Sequence, residues 1–168
     1  VDVSHAVLAE IVPADAMRLV FIDGHFAPQL SRFEDVAYWL EFRPVSAVLA
    51  DEEAALQQWL GGSDHRVNDP FAGLNQALFQ DGALIRVKPD AIIEEDIHIV
   101  SLFSGATPDL MAFPRHGLHI CTGAEVSIIE ISSSLDPQAC YFHNGQTNLT
   151  IEANACVRYT QVQTDSPE

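Results

Sequence analysis

The stretch Gly117–Ser132 (GLHICTGAEVSIIEIS) is written a second time, with the same alternation, at Thr147–Val162 (TNLTIEANACVRYTQV). Leu118, Ile120, Gly123, Ala124 and Val126 correspond to Leu149, Ile151, Asn154, Ala155 and Val157, every pair 31 residues apart. An earlier copy begins near Ile85. Ile85, Val87, Asp90, Ala91 and Ile93 match the middle copy at a spacing of 33. Apolar residues at every second position give a strand one buried face. The residue in the bend slot is Asp90, Gly123 or Asn154, the types that tolerate left-handed backbone. A small Ala follows each time. One such strand–bend–strand unit cannot bury its apolar row alone, so successive copies must cover one another. A solenoid of stacked copies satisfies this, and so does an elongated sandwich of antiparallel strands. A period of 31–33 exceeds a compact hexapeptide coil and requires an excursion, for which Ser132–Gln146 is the candidate.

Upstream of Gly82 the pattern differs. Two extended runs flank Asp23-Gly24 within Met17–Pro28, and Asp-Gly supplies the positive φ angles of a tight hairpin. Ser31–Glu41 reads as a short helix or an irregular connection, and Pro44–Leu49 as a short strand. Asp51–Leu60 reads as a helix capped by Asp51, with Ala55, Leu56, Trp59 and Leu60 on one face. A second helix follows over 68–79, with Asp69 as cap and Pro70 at its first position. Phe71, Leu74, Ala77 and Leu78 are its expected apolar face, and Asp81-Gly82 stops it. The expected organisation is a lead-in over residues 1–80 and a repeat region over 81–168.

Composition limits the function. The net charge is −16 and no basic patch exists, which disfavours nucleic acid and anionic membranes as partners. No run of 18 apolar residues occurs, so no membrane span is expected. Three Cys without a C-x-x-C suit a reducing, cytoplasmic setting. The chain starts at Val1, with no basic segment of the secretory type, and either a trimmed or excised chain or simple removal of the initiator Met is the expectation.

Few residues carry chemistry by pattern. His119 and Cys121 share the strand face opposite Leu118 and Ile120 and are the weak metal candidates. Structural zinc takes four ligands, so the pair alone reads as outward side chains rather than a site. A cupin-like metal-dependent enzyme would use His116 and His119, with Glu125, Glu130 or His143. The His-x-x-His spacing departs from the usual His-x-His. Cys140 and His143 lie in the excursion without a basic neighbour, and Cys156 takes the slot of Glu125; all read as structural. Glu94-Glu95-Asp96 reads as a solvated corner. No phosphate-binding glycine loop, nucleophile elbow or zinc-protease motif occurs, and no catalytic set is visible.

Arg18–Pro28, Phe71–Gly82, Leu84–Ile99, Pro114–Ile120 and Gly123–Glu130 together, in this order and spacing, resemble SufD in the SufB/SufD family, scaffold subunits of the SUF iron–sulfur cluster assembly machinery. The resemblance runs from about residue 17 to the end. It implies a mainly β fold, a right-handed parallel β-helix with a small N-terminal α/β lead-in. It implies a non-catalytic scaffold whose partners are a SufB-like subunit and a SufC-like ATPase. The iron–sulfur cluster would be handled by the full complex, with no cofactor held by this chain. Family members run to several hundred residues, so the parts that contact SufB and SufC are expected elsewhere, and no functional residue carries over. An open last rung invites self-association.

Overall fold

The computed structural model describes residues 5–33, 38–51, 56, 59–60 and 69–164. In chain order the elements are α1 (His5–Ala9), β1 (Arg18–Ile22), β2 (His25–Phe26), β3 (Leu40–Pro44), α2 (Val45–Asp51), α3 (Pro70–Leu78), β4 (Ala83–Val87), β5 (Ile97–Phe103), β6 (Leu110–Ala112), β7 (Arg115–Ile120), β8 (Glu125–Ser134), β9 (Tyr141–His143), β10 (Gln146–Ile151) and β11 (Cys156–Thr164).

The repeat is realised as stacked rungs. One sheet has the order β11-β8-β5-β1-β2, a second β10-β7-β4-β3, and a third pairs β6 with β9. The chain therefore visits three sheets in turn: β4, β5, β6, then β7, β8, β9, then β10 and β11. Pairing between copies is parallel in all three sheets, so the antiparallel sandwich is not adopted. Among the described residues, antiparallel pairing joins β1 with β2 and β3 with β4, with one isolated bridge between Arg18 and Arg32. Ile85 faces Leu118, and Leu118 faces Leu149, as the repeat requires.

The bends behave as their residue types dictate. Asp90, Gly123 and Asn154 have φ of 58°, 71° and 59°. The Asp90 N–H donates to the Thr122 carbonyl, and the Gly123 N–H to the Ala153 carbonyl. Ala91 and Ala124 are fully buried behind these bends, where a larger side chain would meet the next rung. The change of spacing has a local cause. Ile92 bridges Glu125, 33 residues on, whereas Ile97 pairs with Ile128, 31 residues on. The two extra residues fall at the exposed acidic corner Glu94–Asp96. The excursion Ser132–Gln146 is more ordered than expected: it completes β8, carries β9 and starts β10.

The Asp23-Gly24 hairpin forms, with φ of 52° and 85° at the turn. Its first strand also pairs in parallel with β5, and β3 pairs with β4, so upstream segments extend both large sheets. Two expectations fail here. Pro44–Leu49 is not a strand: Pro44 ends β3, and Val45–Asp51 is helical. Val45 and Val48 are buried against Leu56, Leu60 and Leu84, so packing one turn apart overrides the β preference of valine. Asp51 is the last described residue of α2 and has helical backbone. Ala55, residues 34–37 of the irregular segment and most of the expected 51–60 helix lie outside the described residues; Leu56, Trp59 and Leu60 do pack inward.

The second failure is the face of α3. Asp69 caps it through Phe71 N and Ala72 N, with Pro70 at its start, as expected. Yet Phe71 and Leu78 are exposed, and the buried residue is Asn75. Its amide donates to the carbonyls of Pro114 (3.0 Å) and Asn144 (2.7 Å) and accepts from Arg115 (3.2 Å). Satisfying strand-end carbonyls outweighs burying Phe71 here. Asp81 works similarly: its buried carboxylate accepts from the N–H groups of Phe26, Ser46 and Gly82, joining β2, α2 and β4.

Candidate functional site

On the outer face of the second sheet, the rungs bring three chemically different donors together. His119 belongs to β7, Cys121 follows it, and Glu152 follows β10. The Glu152 N–H donates to the Ile120 carbonyl at 3.0 Å, locking Glu152 beside Cys121 on the adjacent rung. His119 Nε2 donates to Glu152 Oε1 at 2.7 Å. The other carboxylate oxygen accepts from the Thr122 N–H (2.9 Å) and Thr122 Oγ1 (2.8 Å). One ligand atom each from His119, Cys121 and Glu152 lies within 4.8 Å of the others.

Electrostatics follow from this geometry. The Thr122 hydroxyl, then His119 and the Thr122 amide, hold the Glu152 carboxyl down at about 2. Arg86 stands opposite His119 in the β4–β7 register, and its pKa is raised, by Cys121 first and by Glu41 and Glu152 in addition. The cluster thus combines an imidazole, a thiol and a carboxylate under one guanidinium.

His119 and Cys121 do lie together, as strand alternation predicts. Cys121 is nevertheless buried rather than outward. Glu152 escaped sequence reasoning although a signal existed: it lies 31 residues after Cys121, the repeat spacing itself.

The cupin-like arrangement does not form. His116 and His119 are three apart on one strand and so point to opposite faces. His116 is fully buried inside, accepts the Ala83 N–H at its Nδ1 (2.9 Å) and packs edge-on against Phe21. Burial above all keeps its pKa low, so it is a neutral core imidazole. Glu130 is also internal and accepts from Thr147 and Tyr159. Glu125 is exposed, on the face of β8 opposite Glu130, and the His143 ring lies tilted against Phe103. Cys140 and Cys156 are exposed and separate from the cluster. A shallow cavity of about 250 Å³ opens elsewhere, between Phe71, Phe142, His143, Asn144, Gln161 and Gln163. It gathers no group of metal-ligating side chains, so the chemistry concentrates at the rung edge instead. Among the described residues no helix is long and apolar enough to cross a membrane.

Comparison with known proteins adds to the stacked rungs. The chain is 27% identical over 172 residues to an iron–sulfur cluster assembly SufBD family protein of Synechocystis sp., a match covering 98% of this chain and 38% of the relative. The chain is similar to the SufBD family. It is also 26% identical over 156 residues to the iron–sulfur cluster assembly protein SufD of Escherichia coli K12, covering 91% of this chain and 34% of that protein. It therefore spans little more than a third of these SufBD-type relatives. No family model matches the chain.

Proposed function

We propose that this chain is a SufD-like, non-catalytic scaffold element of cytoplasmic iron–sulfur cluster assembly, working beside a SufB-type subunit and a SufC-type ATPase. The observation that carries this reading is the likeness to two assembly proteins across 98% and 91% of the chain. The parallel register supports it too, since three sheets visited in turn suit the first turns of a right-handed parallel β-helix. In this reading residues 1–80 are the α/β lead-in and 81–168 the first turns of the helix. A scaffold of this kind supplies rigid, repeated backbone on which partners dock, and needs no nucleophile or acid–base pair of its own.

Chromosomal tagging of the gene and affinity isolation from its own host test the proposal. SufB- and SufC-type subunits are expected in the eluate. Deletion of the gene is expected to lower the activity of cluster-dependent enzymes without lowering the amount of their polypeptides. Full activity of those enzymes in the deletion strain, with neither subunit recovered, would overturn it.

A further inference from the structure

We infer that His119, Cys121 and Glu152 form a binding site for one divalent transition-metal ion of the Zn²⁺, Fe²⁺ or Co²⁺ class. The inference stands on the geometry of the cluster and is independent of the assembly reading.

The donor set is the first reason. Imidazole nitrogen, thiolate sulfur and carboxylate oxygen together suit borderline divalent ions better than Mg²⁺ or Ca²⁺, which prefer oxygen alone. Spacing is the second. Ligands on a tetrahedral ion with bonds of about 2.0–2.3 Å stand roughly 3.3–3.8 Å apart. Here the His119–Glu152 contact is 2.7 Å and all three ligand atoms lie within 4.8 Å. Side-chain movements of about an ångström bring them to tetrahedral separations. Support around the ligands is the third reason. Thr122 holds one oxygen of Glu152 with two hydrogen bonds and leaves Oε1 turned toward His119. An outer group that orients a ligating carboxylate in this way is a recurrent part of metal sites. The backbone beneath is fixed as well: the bends at Gly123 and Asn154 each lie two residues after a ligand, Cys121 and Glu152, and Glu152 N is tied to Ile120 O.

Three protein ligands at a partly exposed edge leave a fourth position for water or for a donor from a partner. Binding replaces the His119–Glu152 hydrogen bond with bonds from both groups to the ion. Arg86, exposed and opposite His119 on the neighbouring strand, sets a positive charge beside the site that opposes a bound cation.

Co²⁺ titration of the chelator-treated protein reads the site directly. A sulfur-to-cobalt charge-transfer band saturating at one ion per chain, displaced by Zn²⁺, is expected. His119→Ala, Cys121→Ser and Glu152→Gln should each weaken Co²⁺ by at least about tenfold, Cys121→Ser abolishing the band, and Thr122→Val should weaken it about tenfold. Arg86→Ala should tighten it several-fold, an effect that mere loss of folding cannot produce. Cys140→Ser and Cys156→Ser should change nothing. Glu152→Gln removes an exposed carboxylate and keeps the inference testable if the buried Cys121→Ser variant fails to fold. Absence of the band in the parent protein, or a band that survives Cys121→Ser in folded protein, would overturn the site.

Discussion

Tyr159 donates its phenolic hydrogen to the carboxylate of Glu130, across the parallel pair β8 and β11. Glu130 also accepts the Thr147 hydroxyl from β10, so one buried carboxylate joins two sheets through the interior. Burial, with Glu130 as acceptor, pushes the Tyr159 phenol up and keeps it a donor. Tyr159→Phe is expected to cost about 1–2 kcal/mol in urea unfolding, the order of one buried hydrogen bond. In a Glu130→Ala background the same change should cost at least about 1 kcal/mol less. Equal costs in the two backgrounds would show that the pair is not coupled.

Acid should weaken the fold in two separate windows. The folded pKa of His116 lies below its ordinary 6.5, so the unfolded chain takes up the proton first. Stability therefore falls as pH drops below about 6.5, by up to about 1.4 kcal/mol per pH unit from this group. Glu152 lies lower, at about 2 against 4.5. Its contribution is present above 4.5 and is lost as pH falls from there toward 2. Urea midpoints at pH 7.5 and 5.5 should differ for the parent and differ less for His116→Gln. An undiminished difference in the variant would assign the first window to another group.

Two glycines should respond very differently to a methyl group. At Gly82 an added Cβ would stand 1.9 Å from the Arg115 carbonyl oxygen, a backbone atom that cannot yield. Gly82→Ala should cost more than about 3 kcal/mol and leave little soluble protein. At Gly123 the nearest atom is the flexible end of Asp90, 2.3 Å away. There the main cost is the left-handed backbone, about 1–2 kcal/mol. Thermal melting of the two variants should rank them in this order.

Asn75 and Phe71 invert the usual rule for an amphipathic helix. Asn75→Ala leaves the Pro114 and Asn144 carbonyls without its amide and removes one partner of the buried Arg115, and should cost about 2–4 kcal/mol. Phe71→Ser alters an exposed ring and should stay within about 0.5 kcal/mol. Greater loss from Phe71→Ser, measured by chemical unfolding, would contradict the packing described for α3.

The difference between what sequence reveals and hides follows from range. The rungs were legible because alternation and left-handed bend residues are local signals, repeated at one spacing: Asp90, Gly123 and Asn154 each occupy the backbone state their side chains allow. The hairpin at Asp23-Gly24 and the Asp69 cap were legible for the same reason. The helix at Val45–Asp51 was not, because its valines are placed by Leu60 and Leu84 rather than by preference. Asn75 was hidden because its partners lie 39 and 69 residues away. The candidate site fell between these cases. His119 and Cys121 are neighbours in sequence, while Glu152 emerges only when the repeat is laid over itself.

The seam at the bends has a constructional consequence. Asp90 hands its amide hydrogen to Thr122, and Gly123 does the same with Ala153, through identical main-chain links that consult no side chain. A segment cut at one bend and pasted at the next would find the socket it left. Height in such a molecule is a copy number, and an engineer could lengthen or shorten it by whole storeys without inventing a new joint.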